Sequence, residues 1–271
     1  MEMDSDTSLL RSTPTPGVCV LTLNRPATLN ALTRELVAEI NLALDEIARD
    51  PDCRVLVMTG AGKGFCSGQD MKAADERNRK GASGVVEKMF WQENFSGMVR
   101  RLRNMPQPVI AAVNGAAVGA GMGLALAADI RFAAPTVRFL IAAVRIGLSA
   151  GECGISYHLP RLIGTSRAIP YLLTGRPIDA PEAERIGLVS RVVEADELLP
   201  CALDEAKDII ANSPFSIAQT KRVMWQSVDA PSLEAALEIE NRTQILATMT
   251  DDYKEATAAF AERRPPNFSG R

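Results

Sequence analysis

Two glycine-dense loops are the parts of this chain whose residues could do chemistry. One reads GAGKGFCSGQD at 60–70 and the other NGAAVGAGMG at 114–123, and each directly follows a short apolar run. Because glycine has no side chain, backbone N–H groups in such loops can approach a ligand closely. N–H groups at the start of a helix also lack partners. Two such loops could hold one oxygen between two N–H donors, which is an oxyanion hole for a carbonyl that becomes an enolate or a tetrahedral anion.

Other uses of the same glycines have to be weighed. Gly119, Gly121 and Gly123 could simply allow a helix to pack closely on a sheet. A dinucleotide-binding loop starting at Gly119 would need glycine at 124, where the chain has Leu124. A phosphate-binding P-loop would need serine or threonine after Lys63, where the chain has glycine.

Composition argues against several classes of function. The 271 residues include 30 Lys and Arg against 33 Asp and Glu, a net charge of −3 that gives no attraction for nucleic acid. The single histidine, His158, argues against zinc sites built on imidazole, and we expect no metal. Five widely spaced cysteines without a CxxC pair indicate reduced thiols in a cytoplasmic protein. No stretch has the length and apolar character of a membrane span.

The elements that must position the loops follow from the hydrophobic pattern. Apolar, β-branched runs at 18–23, 54–59, 109–113 and 130–134 predict strands, and helical periodicity begins after Thr33, a good N-cap. Strands that alternate with helices predict an α/β core with a mainly parallel sheet. The cluster TPTPG at 13–17 predicts a loose tail over 1–16 before a core at 17–195. Only helical patterns occur over 196–271, at 196–211, 215–227, 232–248 and 251–264.

Seven segments then give the chain a family resemblance. They are NRPATLNAL at 24–32, GFCSGQD at 64–70, PVIAAVNGAAVGAG at 108–121, AADIR at 127–131, LTGR at 173–176, EAERIGLV at 182–189 and FAERRPPNF at 260–268. In this order, over about residues 18–268, they make the chain resemble the crotonase superfamily, the enoyl-CoA hydratase/isomerase fold. The resemblance implies a spiral of ββα units with a helical C-terminal region that forms trimers or dimers of trimers. It also implies an acyl-CoA thioester as substrate, in fatty acid metabolism, with no separate cofactor.

The resemblance also assigns site residues. It implies that the oxyanion-hole donors are the backbone N–H groups of Ser67 and Ala120. Phe260 and Arg263 match tail positions that lie near the CoA nucleotide of a neighbouring subunit, where arginine suits a phosphate. The residues that would line the CoA site are Ala27, Thr28, Leu29, Cys66, Gly68, Gln69, Asp70, Met71 and Gly119.

The chain departs from the family at its two acid–base positions. A hydratase of this family uses two glutamates, and the matching positions hold Gly123 and Ala143, which cannot move a proton. Glu152, in GLSAGECG at 147–154, resembles an extra acid that dienoyl-CoA isomerases carry beside this loop. It could equally be a carboxylate that interacts with the start of the following helix. Asp70 is interpreted as a hydrogen-bonding group of its loop, and Cys66 as a thiol without an activating base.

Two functions from different classes therefore remain. The first is a lyase or isomerase of the enoyl-CoA hydratase/isomerase type that stabilises a thioester enolate and uses Glu152 as a non-standard acid or base. The second is a non-catalytic acyl-CoA-binding protein that has kept the loops and lost the proton-transfer groups. Standard hydration is not expected from either, because both usual carboxylates are absent.

Overall fold

The computed structural model describes residues 7–80 and 84–271, with the backbone alone over 76–80. Its strands are β1 (Leu9–Thr15), β2 (Val18–Leu23), β3 (Val55–Gly60), β4 (Gly64–Cys66), β5 (Val109–Val113), β6 (Ala116–Val118), β7 (Ile130–Ala133), β8 (Arg138–Leu140), β9 (Ile178–Asp179) and β10 (Arg191–Val192). Its helices are α1 (Arg34–Ile47), α2 (Met71–Lys80), α3 (Val85–Asn104), α4 (Ala120–Ala127), α5 (Ile155–Ile163), α6 (Thr165–Thr174), α7 (Ala180–Arg185), α8 (Leu198–Ile210), α9 (Pro214–Val228), α10 (Leu233–Thr248) and α11 (Asp251–Glu262).

The strands form two sheets that the chain visits in alternation. The larger sheet has the order β1-β2-β3-β5-β7-β10 and the smaller one β4-β6-β8-β9. The chain passes from β3 to β4, from β5 to β6 and from β7 to β8, so that each repeat gives one strand to each sheet. All pairings are parallel except β1 with β2 and β8 with β9. The predicted α/β spiral of ββα units is confirmed.

The N-terminal segment differs from the sequence prediction of a loose tail over residues 1–16. Strand β1 lies antiparallel to β2, with Leu9 opposite Leu23, and Gly17 turns the chain at a φ of 84°. The prolines of TPTPG suggested that the chain breaks here. However, β1 is the edge of the sheet, where a proline costs no ladder hydrogen bond if its nitrogen faces outward. Residues 1–6 lie outside the described residues.

Helix α1 shows the local physics that the sequence predicted. The Thr33 hydroxyl accepts a hydrogen bond from the Leu36 N–H and caps the helix at its predicted start. The apolar residues that recur at helical spacing are all buried against the core: Leu36, Val37, Ile40, Leu44 and Ile47. The helical stretch predicted at 71–105 is divided into α2 and α3, and residues 81–83 between them lie outside the described residues.

Helix α4 lies at the centre of the molecule. All eight of its residues are buried, and it packs so closely that a Cβ on Gly121 would lie 2.2 Å from the Cys66 carbonyl oxygen. The predicted C-terminal helices are confirmed as α8 to α11. Helix α8 covers the large sheet, and α9 is joined to the end of α4 by a 2.8 Å ion pair between Lys221 and Asp129. Within residues 7–80 and 84–271, no helix combines the length and apolar character needed to cross a membrane.

Candidate active site

The two glycine-dense loops meet at one edge of the small sheet. Strand β4 pairs in parallel with β6, so the loop after Cys66 and the turn at Gly119 leave neighbouring strands at the same end. A Cβ placed on Gly68, where φ is 82°, would lie 2.7 Å from the Val118 carbonyl oxygen and 3.6 Å from the Ala120 nitrogen. The sequence prediction that these loops converge is therefore correct, and only glycine at 68 allows so close an approach.

The backbone donors at this meeting point differ in part from the prediction. The Ala120 N–H begins α4 and has no acceptor in the part of the chain that the structure describes. The Ser67 N–H, by contrast, donates to the Leu29 carbonyl oxygen at 2.9 Å. Leu29, whose carbonyl oxygen accepts this bond, has a φ of 51°, in the left-handed region. Ser67 is therefore not a free donor, and its assignment to the oxyanion hole is corrected.

The free donor in this loop belongs to Gln69. The Leu32 N–H donates to the Gly68 carbonyl oxygen, and the Asp70 N–H donates to the Leu32 carbonyl oxygen. Gln69 lies between these two hydrogen bonds, and in a parallel pair such a residue points its own N–H away from the partner strand. Across the described ranges, 7–80 and 84–271, the Gln69 N–H has no acceptor. Gln69 and Ala120 are thus unpaired amides, one from each loop, near the point where the loops meet.

Glu152 lies beside the second of these amides. A Cβ placed on Gly119, the residue just before Ala120, would lie 3.1 Å from Oε1 of Glu152. The carboxyl group is partly buried, and this burial raises its pKa above the ordinary value. Among the described residues it makes no hydrogen bond and no ion pair. The structure therefore brings together Gly119, Ala120 and Glu152, with a carboxyl group that can take up a proton.

The positions of the two missing glutamates lie nearby. Gly123, the fourth residue of α4, donates its N–H to the Gly119 carbonyl oxygen at 3.0 Å and packs against Cys153. Ala143 is buried and begins a short 3-10 helix, Ala143–Ile146. Neither position carries an ionisable group, whereas Glu152 places a carboxyl group beside Gly119.

The turn predicted to line the CoA site is exposed and is tied to the first loop. It forms a 3-10 helix, Pro26–Thr28, followed by Leu29, and these residues are open to solvent. The Ser67 hydroxyl donates to the Thr28 carbonyl oxygen at 3.0 Å. Met71 is also exposed. Ala27, Thr28, Leu29, Gln69 and Met71 are thus exposed, and their contact with a CoA ligand stays a prediction.

Asp70 and Cys66 hold the loop together. The Asp70 carboxylate accepts hydrogen bonds from the Ala73 N–H at 3.1 Å and from Arg25 at 3.2 Å. Burial alone would raise its pKa, but these donors outweigh burial and the pKa is lowered. Burial raises the pKa of the Cys66 thiol to about 12. Because only a thiolate is a strong nucleophile, Cys66 is a packing residue rather than a catalytic one.

One residue that the sequence analysis did not single out is Asn30. It is fully buried with a φ of 58°, and its Oδ1 accepts a hydrogen bond from the Arg25 N–H at 2.8 Å. Its Nδ2 donates to the carbonyl oxygens of Ala61, Gly64 and Phe65 at 3.0, 2.7 and 3.1 Å. Asn30 thereby joins the exposed turn at 26–29 to the glycine loop. The available signal was its place in the segment 24–32, because asparagine tolerates a positive φ better than most residues.

The remaining candidates lie away from the loops or are neutral. Phe260 and Arg263, at the end of α11, are exposed, and their contact with a CoA nucleotide stays a prediction. His158 is buried beside Tyr157 and Trp225, and burial followed by nearby arginine charges lowers its pKa to about 4. All five cysteines are free, and no group of three or more potential metal ligands occurs in the described part of the chain.

Comparisons with known proteins agree with this architecture. A model of the family described as enoyl-CoA hydratase/isomerase matches residues 14–271. The chain is 42% identical over 261 residues to a probable enoyl-CoA hydratase of Mycobacterium bovis, covering 94% of this chain and 90% of the relative. It is 37% identical over 256 residues to the 1,2-epoxyphenylacetyl-CoA isomerase of Escherichia coli, covering 94% and 96%.

A solved structure shows the same fold. The crystal structure of a probable enoyl-CoA hydratase/isomerase from Mycobacterium abscessus superposes with a TM-score of 0.89 at 42% identity, covering 98% of this chain and 100% of that one. The match of sequence and fold extends over nearly the whole length and includes the two loops, α4 and the helical C-terminal region. The chain belongs to the enoyl-CoA hydratase/isomerase family of the crotonase superfamily.

Proposed function

We propose that this protein isomerises an acyl-CoA thioester by moving a proton with Glu152. The thioester oxygen would accept hydrogen bonds from the N–H groups of Ala120 and Gln69. The observation that carries the proposal is the position of the Glu152 carboxyl group, whose Oε1 would lie 3.1 Å from a Cβ placed on Gly119, the residue that precedes Ala120. A carboxyl group there is close to the carbon atoms that adjoin a bound thioester carbonyl.

The chemistry follows from these groups. Glu152 takes a proton from a carbon of the acyl chain, and the electron pair of that C–H bond delocalises onto the thioester oxygen as an enolate. The two N–H groups stabilise the negative charge, and loss of one such donor typically costs on the order of 3 kcal/mol of transition-state stabilisation. Glu152 then returns the proton to a different carbon atom. The product is an isomer of the substrate, with no net gain or loss of atoms.

The number of carboxylates favours isomerisation over hydration. The relatives carry both kinds of name, a probable hydratase and an isomerase. Adding water by the usual family mechanism needs a base for the water and an acid for the carbon, and Gly123 and Ala143 supply neither. A single carboxyl group that accepts and returns one proton is sufficient for isomerisation.

A comparison of turnover in wild type and Glu152→Gln tests the proposal. The substrates to be tested are crotonyl-CoA, 3-enoyl-CoAs, dienoyl-CoAs and 1,2-epoxyphenylacetyl-CoA. Exchange of the α-protons of the thioester in D2O detects enolisation even where no net reaction occurs. We expect Glu152→Gln to lower turnover by about 10²–10⁴-fold, the usual contribution of one acid–base group, with unchanged Kd. Activity should rise with pH through the raised pKa of Glu152, because the base must be ionised.

Glu238→Gln is the matched control, since Glu238 is exposed on α10 and pairs with Arg242. It should leave turnover unchanged. Full turnover in Glu152→Gln would refute the role of Glu152. Tight thioester binding with neither turnover nor exchange in wild type would establish the non-catalytic acyl-CoA-binding alternative instead.

Assembly as a homotrimer or a dimer of trimers is part of the same proposal. Its support is the exposed apolar surface of the C-terminal helices, including Leu237, Ile245, Leu246 and Met249. Monomeric proteins rarely leave large contiguous apolar patches open to water. Analytical ultracentrifugation should show a species of three or six chains, and a monomer at micromolar concentration would contradict this part.

A further inference from the structure

Gly119, the residue just before α4, and Gly123, the fourth residue of α4, make room for the segment that carries Glu152. A Cβ on Gly119 would lie 3.1 Å from Oε1 of Glu152, and a Cβ on Gly123 would lie 2.5 Å from the carbonyl oxygen of Cys153 and 2.8 Å from its Cβ. The first contact involves the end of a flexible side chain. The second involves backbone, which cannot rotate away.

On the side away from α4, the segment packs against side chains of α3 and α5. On its other side, a Cβ placed on Gly154 would lie 3.1 Å from both Cγ1 of Val99 and Cδ2 of His158. The Ile155 N–H donates to the Glu152 carbonyl oxygen at 2.8 Å, and the His158 N–H donates to the Gly154 carbonyl oxygen at 2.9 Å. The turn at 152–154 is therefore enclosed between α4, α3 and the start of α5.

The turn also holds an unfavourable backbone conformation. Cys153 has a φ of 43°, in the left-handed region that residues with a side chain seldom occupy. Conformations of this kind persist only where the surroundings enforce them. The surroundings here are the glycine face of α4 on one side and the Val99 and His158 side chains on the other. The Cys153 thiol, next in sequence to Glu152, is titratable, and burial raises its pKa to about 12, so it stays uncharged.

We infer that Gly123 is a positioning residue for Glu152, because only a residue without a side chain at 123 lets the 152–154 turn lie where it delivers this carboxyl group to Gly119. The inference rests on the proposed function for its catalytic meaning, but its geometry stands independently. It has a direct consequence for the family comparison. Position 123 is where the resemblance places the first hydratase glutamate, so this chain cannot hold that glutamate and Glu152 in its observed place together.

Gly123→Ala tests the inference, with Gly151→Ala as the matched control. Gly151 precedes Glu152, and a Cβ there would lie 3.3 Å from the Ser149 hydroxyl, 3.5 Å from the Ser156 hydroxyl and 3.9 Å from the Ser156 Cβ, so it meets side chains rather than backbone. We expect the crystal structure of Gly123→Ala to show the Glu152 carboxyl group displaced from Gly119. Exchange of the α-protons of butyryl-CoA in D2O should fall on the order of 10²–10⁴-fold with unchanged Kd, as expected for a lost acid–base group. The acid limb of the pH profile of this exchange should lie at lower pH in the variant than in wild type, because the displaced carboxyl group is better solvated.

Gly151→Ala should keep the wild-type position of Glu152 and wild-type exchange. If Gly123→Ala is insoluble, the double variant Gly123→Ala/Cys153→Gly replaces it, because glycine at 153 removes the 2.8 Å contact and accepts a positive φ. A Gly123→Ala structure with Glu152 still beside Gly119 would overturn the inference. If wild type shows no exchange, the proposed function fails, and the position of Glu152 in the variant structure alone decides the inference.

Discussion

Asn30 offers a quantitative test of how the exposed turn at 26–29 is attached to the glycine loop. Aspartate at this position has the same shape and keeps the acceptor for the Arg25 N–H. It replaces the amide nitrogen, which donates to three carbonyl oxygens within 3.1 Å, by a second oxygen. A carboxylate facing three carbonyl oxygens at a fully buried position is strongly disfavoured, so the folded variant should hold the aspartate in its protonated form.

The cost can be worked out from this protonation. Keeping an aspartate with an ordinary pKa of about 3.9 protonated at pH 7 costs about 4 kcal/mol, at about 1.4 kcal/mol for each pH unit. The protonated acid replaces only part of the lost hydrogen bonding, which adds about 1 kcal/mol. Asn30→Asp should therefore lose about 5 kcal/mol of unfolding free energy at pH 7 and about 1 kcal/mol at pH 4. The sign follows because the folded variant binds one more proton than the unfolded chain, so its relative stability falls as pH rises.

Urea unfolding followed by far-UV circular dichroism at pH 5, 6 and 7 measures this slope, at one fixed protein concentration. Asn212→Asp is the control, because Asn212 is exposed and its side chain donates one hydrogen bond, to the Asp208 carbonyl oxygen at 2.9 Å. It should change the unfolding free energy by less than about 1 kcal/mol with no comparable slope. A loss below about 1 kcal/mol at pH 7 in Asn30→Asp, or a loss independent of pH, would refute the reasoning.

Three further predictions concern groups away from the loops. Lys221→Met should lower the unfolding free energy measured in urea by about 3–5 kcal/mol, because it removes the cation that pairs with the partly buried Asp129. Arg242→Ala, which breaks an exposed ion pair, is the control and should lower the unfolding free energy by less than about 0.5 kcal/mol. NMR should show His158 neutral above pH 5 with a pKa of about 4; since the unfolded chain protonates first, this residue should reduce stability as pH falls from 6.5 towards 4. Iodoacetamide at pH 8 should leave Cys66 unmodified until the protein unfolds, and rapid labelling of the folded chain would contradict its burial.

The sequence predicted the local elements well, because their signals lie within a few residues. The apolar run of β2 and the helical spacing and Thr33 cap of α1 are properties of neighbouring side chains. Strand β1 was missed because the evidence that it is a strand is its pairing with β2, which the residues of the segment alone do not indicate. Prolines in an isolated segment indicate a break, and only the pairing with β2 shows that this segment is a tolerated edge strand.

The candidate site divides in the same way. The sequence by itself determined the family, the two glycine loops, and the absence of a carboxylate at 123 and 143, because these depend on which residue stands where. The tertiary structure decided that Gln69 rather than Ser67 offers the free amide, because a hydrogen bond to Leu29 or Leu32 depends on how distant segments pair. It also decided that Glu152 lies against Gly119, since only the packed faces of α4 and the 152–154 turn determine where that carboxyl group can go.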